Sequence, residues 1–227
     1  MTFDKKIFFE SVRIGLPTGF QQTFVSIGMA ALLKIINTFG TNVVAAYTAA
    51  GRIENLAVLP AMNFSQALST FVGQNIGANK ISRVKSGLKA TLLISILVSI
   101  SMSGLIILLR LPLMKLFTSD NYVIMHGIKY LIIVGSFYTA FNIMFVLSGV
   151  LRGAGDTILP MFITLFSLWI IRIPVAYLLS SRMGVTGIWW AIPTGWIAGM
   201  TFSYLYYLQG SWKKKSVFRN NITPIDN

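Results

Sequence analysis

The chain has no cysteine, which excludes disulfides and thiolate metal sites. Its single histidine, His126, rules out a histidine-clustered metal centre within one copy. Acids are scarce as well: Asp4, Glu10, Glu54, Asp120, Asp156 and Asp226 stand against 19 lysines and arginines. No carboxylate pair, Ser-His-Asp set or GxxxxGK phosphate loop can be read from these residues, so an enzyme is not expected. Charge of either sign is sparse. Charged residues make up 11% of the chain, where a soluble domain carries about a quarter.

What the chain has instead is apolar length. Hydrophobic residues make up 55% of it, in stretches that meet or exceed the ~20 residues a helix needs to cross a bilayer. Six spans are expected: Gly15–Thr38, Val43–Phe71, Leu88–Leu109, Val123–Leu151, Ile158–Ser180 and Val185–Leu208. Lipid offers no hydrogen-bond partner to a bare backbone, and the period-two pattern of a membrane barrel is absent. The fold class is therefore all-α, a polytopic membrane protein of six transmembrane helices. Residues 1–14 read as an amphipathic cytoplasmic segment rather than a signal peptide, because Asp4 and Glu10 interrupt them and no small-residue cleavage site follows. Residues 209–227 read as a basic cytoplasmic tail. The loop Arg110–Tyr122 alternates apolar and charged residues, which predicts an interfacial helix.

The net charge of +13 invites a nucleic-acid reading, but the basic residues sit at the ends of the spans, where membrane lipids and topology account for them. Lys5, Lys6, Arg13, Lys80, Arg83, Lys85, Lys89, Arg152, Lys213, Lys214, Lys215 and Arg219 fall on one side. Lys34, Arg110, Lys115, Lys129 and Arg182 fall on the other. The first side is richer, so both termini are expected in the cytoplasm, in the cell membrane.

A few polar residues lie inside the spans. Arg52 and Glu54 are the sharpest anomaly, since a mid-bilayer charge costs ~2.5–3.5 kcal/mol on insertion scales. Two residues apart, they point to different faces. Glu54 shares its face with Ala50, Gly51, Ala57 and Val58, so another helix can approach it closely. It reads either as a carboxylate linked to a coupling cation or as one partner of a structural ion pair with Arg172. Pro60 withdraws the N–H that the Leu56 carbonyl would use, and Asn63, Ser65, Gln66 and Ser69 continue a polar stripe past that kink. Gln21, Gln22, Thr23 and Ser26 form a similar patch in the first span, as substrate contacts or as interhelical glue. Arg172 beside Pro174 is expected to snorkel or to bond freed carbonyls, and His126 to lie at an interface. The stretches 72–78 (VGQNIGA) and 151–157 (LRGAGDT) read as hairpin connectors on the basic side. In the first, the glycines give the tight exit; in the second, Asp156 or Thr157 caps the next helix.

The stretches GLPTGFQQ (15–22), NVVAAYTAAGRIENLAVLPAMNFSQALSTFVGQNIGA (42–78), GVLRGAGDT (149–157) and WIIRIPVAYLL (169–179) together resemble the multidrug and toxic compound extrusion (MATE) transporters, in their C-terminal six-helix lobe. The resemblance implies one of two lobes enclosing a V-shaped cavity. It implies a secondary antiporter that exports organic cations and other amphipathic compounds against a proton or sodium gradient, with no cofactor. The partner it implies is a missing N-terminal lobe or a second copy of the chain. Some branches of the family carry a coupling glutamate in the first helix of this lobe and an aspartate in its fourth. Here the first span has Gln21, Gln22, Val25 and Ser26, and the fourth has Phe141 and Asn142. Those acids cannot be carried over, which leaves Glu54 as the only intramembrane carboxylate. Two other readings of the residues remain: a non-transporting bundle or partner subunit, and a flippase for lipid-linked substrates, for which Arg52 and Arg172 would give a cationic cavity.

Overall fold

A computed structural model describes residues 5–213. It consists of α1 (Lys5–Asn37), α2 (Thr41–Gly77), α3 (Ile81–Leu108), a short α4 (Arg110–Lys115), α5 (Asn121–Gly135), α6 (Tyr138–Gly153), α7 (Ile158–Leu165), a π-helical segment (Phe166–Arg172), α8 (Ile173–Met183), α9 (Val185–Gln209) and a closing 3-10 turn (Ser211–Lys213). These make six long helical runs. Residues 1–4 and 214–227, and with them most of the expected basic tail, lie outside the described residues.

Helix α2, at 37 residues, runs roughly 55 Å and forms the spine of the bundle. It packs chiefly on α6, α3 and α5, while α9 packs on α6, α8 and α5. By length and composition alone, Gly15–Asn37, Ile81–Leu108 and Ile158–Met183 qualify as membrane spans, and α5 with α6 qualifies as a bent fourth. Helices α2 and α9 are long enough but do not qualify: α2 carries Arg52, Glu54 and several amides, and α9 is rich in tryptophan, tyrosine and glycine. They are also among the most enclosed, burying Ala46, Ala50, Ile53 and Val72 on one and Ile188, Trp189, Ala191 and Ile192 on the other.

Several runs depart from straight helices. The fourth span, expected as one helix, is broken at Ser136–Phe137 and bent by 49°. The fifth widens into the π segment just before Pro174, whose missing N–H disrupts the α-helical ladder there. The 1–14 segment and the first span are one continuous helix from Lys5 onward. The helix expected in the Arg110–Tyr122 loop is α4. Arg110 Nη1 donates to the Ile107 carbonyl (2.6 Å), and Asp120 caps α5 by accepting from the Tyr122 and Val123 N–H groups.

The exit from α2 differs from expectation. Gly73 and Gly77 lie within the helix, and the chain turns at Asn79, whose φ is +56°. Asparagine tolerates this left-handed conformation. Gly73 faces α6, where a Cβ would make an ordinary contact 3.4 Å from the Gly153 carbonyl.

Candidate functional site

The breaks in the helices surround a buried polar cluster. Glu54 of α2 is partly buried and accepts a hydrogen bond from the Tyr130 hydroxyl of α5. Tyr130 stands edge-on to Trp189 of α9 (ring centroids 5.0 Å), and Tyr47, two helical turns before Glu54, stacks on the same indole (5.9 Å, 7°). Arg172 of the π segment is 5% exposed and lies within electrostatic reach of both Glu54 and Tyr47. Its Nε has no hydrogen-bond partner. The arginine therefore does not snorkel; its stem is laid against Gly195 of α9, where a Cβ would sit 3.1 Å from Arg172 Cβ. The Glu54–Arg172 ion pair considered from sequence is replaced by a tyrosine hydrogen bond, with the guanidinium acting at longer range.

Nearly two turns beyond Glu54 along α2, Pro60 interrupts the ladder beside a cavity of about 10 Å³ lined by Ser95, Ser99, Tyr138, Phe141 and Asn142. That is the lower limit of what one water molecule occupies. The Tyr138 hydroxyl and both amide atoms of Asn142 are buried without a partner. An enclosed, unsatisfied amide is costly, and here it lines this small void beside α2.

The opposite face of α2 is exposed. Thr48, Arg52, Asn55, Asn63, Gln66, Thr70 and Gln74 recur at helical spacing along it, with Leu56, Leu59 and Met62 between them. Thr48 and Thr70 return their hydroxyls to the carbonyls of Val44 and Gln66. Arg52, Asn63 and Gln66 are thus brought onto one open surface, while Glu54 is turned inward.

The glutamines of the first span divide in the same way. Gln21 donates to Thr164 Oγ1 of α7 (2.8 Å), an interhelical role, and Gln22 is exposed. His126 is partly buried, 4.5 Å from the Tyr122 ring, with its Nδ1 unpaired. Tyr47, Tyr130, Tyr138 and Trp189 were not singled out from sequence, since aromatics in apolar helices carry no signal that separates bulk packing from a polar cluster.

The two connectors tie the bundle together at one end. Arg152 Nη2 donates to Ser65 Oγ (2.9 Å), which donates to the Phe145 carbonyl (2.6 Å). Gly153 lets α6 meet α2, since a Cβ there would run into the Ser69 carbonyl. Gly155 turns with φ +86°. Thr157 holds the cap position of α7 without a side-chain bond to the helix, while Asp156, just before it, accepts from the Leu159 N–H at 3.5 Å and from the Tyr206 hydroxyl at 2.6 Å.

Comparison with known proteins places this architecture. Residues 17–178 match the family model MatE. The chain is 30% identical over 207 residues to the probable multidrug resistance protein YpnP of Bacillus subtilis, covering 91% of this chain and 46% of that protein. It is 30% identical over 210 residues to the probable multidrug resistance protein NorM of Thermotoga maritima, covering 92% and 45%. The fold superposes on an outward-facing multidrug resistance MATE transporter of the MOP superfamily with a TM-score of 0.87 at 22% identity, covering 95% of this chain and 49% of that one. The Vibrio cholerae MATE transporter VcmN, in its bent form, gives 0.84 at 20% identity, covering 91% and 47%. The chain spans about half the length of the relatives it matches.

Proposed function

The chain belongs to the MATE family of transporters, which are not enzymes, and from that membership we propose that it supplies one six-helix lobe of a secondary active efflux antiporter for drugs and other amphipathic compounds. The carrying observation is the exposed polar face of α2. Arg52, Asn55, Asn63 and Gln66 on a membrane helix call for water or protein, not lipid. A six-helix unit half the length of its relatives leaves that face for the wall of a cavity closed by a second lobe. In this reading both termini are cytoplasmic. Impermeant thiol labelling in intact cells should therefore modify Ser119→Cys but not Ser82→Cys, and the reverse pattern would contradict the orientation.

Glu54 is the residue proposed to couple transport to the gradient. It is a carboxylate held by Tyr130 with a guanidinium in electrostatic reach and no second described acid beside it. That surrounding favours a proton over sodium, because one carboxylate and one phenol do not make a full set of oxygen ligands for a metal cation. Gradient-driven efflux should require this chain together with a complementary lobe, and Glu54→Gln in that assembly should abolish it while leaving folded yield and drug binding near wild type. Unchanged efflux in Glu54→Gln would remove Glu54 from the mechanism. Proton- or sodium-driven efflux by this chain alone in liposomes would remove the requirement for a second lobe.

A further inference from the structure

The open face of α2 carries a charge that nothing in the described structure balances. Arg52 is exposed, about 16 Å along the helix from Thr41 at ~1.5 Å per residue. The acids with described side chains are all engaged elsewhere. Glu54 points to the far side of α2 and accepts from Tyr130; Asp120 caps α5; Asp156 holds Tyr206. The neighbours of Arg52 on its own face are polar but uncharged, Asn55 among them, and the exposed residues between them are apolar: Leu56 (62%), Leu59 (53%) and Met62 (44%). A lone guanidinium set beside exposed leucines is complementary to a molecule with one anionic group and an apolar body. It opposes a lipophilic cation, which would meet repulsion and no counter-charge on this wall.

We propose that Arg52 is an anion-recognition residue, and that the substrate met by this half of the transporter is an amphiphile with an anionic head. This rests on the reading that the α2 face lines the transport cavity, and it departs from the organic cations that the family resemblance implies. Arginine suits the role because its planar fork stays charged and binds carboxylate, sulfonate or phosphate oxygens in pairs.

The test uses the full chain, purified with any partner lobe that accompanies it and placed in nanodiscs. Equilibrium binding is measured for taurocholate, an anionic amphiphile, and for tetraphenylphosphonium, a lipophilic cation, against empty nanodiscs. Wild type is expected to bind taurocholate more tightly than the cation. Arg52→Gln should weaken taurocholate binding about tenfold or more, Arg52→Glu should abolish it and raise affinity for the cation, and Arg52→Lys should retain most of it. Taurocholate affinity unchanged in Arg52→Gln, or a wild-type preference for tetraphenylphosphonium, would overturn the proposal. Labelling of Asn63→Cys with a water-soluble thiol reagent separates the two ways of failing. If that cysteine is modified while Arg52 variants bind normally, the cavity stands and the anion assignment falls; if it is not modified, both fall.

Discussion

Helices α2 and α3 run side by side and present opposite chemistry to their surroundings. The exposed face of α3 carries Leu93, Ile94, Leu97, Ile100, Leu105 and Leu108. The exposed face of α2 carries Arg52, Asn55, Asn63 and Gln66. Both helices are long enough to cross a bilayer, so length does not separate them. What separates them is the chemistry of the outer face, apolar along α3 and largely polar along α2; on the proposed function, the first meets hydrocarbon and the second water or a second lobe. The contrast also explains why α2 is less apolar than α3, whose mean hydropathy reaches 2.4. A span that lines a cavity need be apolar only where it packs.

The strongest way to break the comparison is to place the same charge on both faces. Leu97→Arg on α3 should cost about 2.5–3.5 kcal/mol, seen as lost folded yield and a lowered unfolding temperature in nanodiscs. Asn63→Arg on α2 should stay within about 0.5 kcal/mol of wild type, as at an ordinary polar surface. Equal losses at the two positions would mean that both faces meet lipid. A smaller effect sharpens the contrast between the two sides of α2 itself. Tyr130→Phe removes the hydroxyl that Glu54 accepts from on the inner side, and should cost about 1.5–3 kcal/mol in thermal or denaturant unfolding. No loss would show that the carboxylate is satisfied without it.

Much of this was legible in the sequence, and for physical reasons. The six helical runs and the short α4 follow from apolar length and alternation, which are local properties of the chain; turn chemistry left the cap of α7 open between Asp156 and Thr157, and the structure places Thr157 there. The inward turn of Glu54 followed from its small neighbours Ala50 and Ala57, both buried in the structure. Its partner did not follow. Tyr130 comes from a helix 76 positions away, and choosing between it and Arg172 depends on how α5 and the π segment are set, which no local pattern states. Arg172 was misplaced for the same reason. An arginine beside a proline suggests a side chain reaching for the interface, whereas Gly195 on α9 opens a slot that keeps it inside. The bend at Ser136–Phe137 has no proline to announce it. The sidedness of α2 was half visible: the polar stripe could be traced past Pro60, but which of its members packed and which stood open, Ser65 inside and Gln66 outside, required the neighbouring helices.

In the proposed transporter the outer face of α2 meets water or a polar partner while that of α3 meets lipid. Nitroxide labels at Asn63 and Gln66 on α2, and at Leu93 and Leu97 on α3, test this in the reconstituted protein. The measurement is the ratio of collisions with a water-soluble nickel chelate to collisions with membrane-soluble oxygen. The two α2 positions should favour the chelate and the two α3 positions should favour oxygen. Oxygen-dominated collisions at all four positions would contradict the claim.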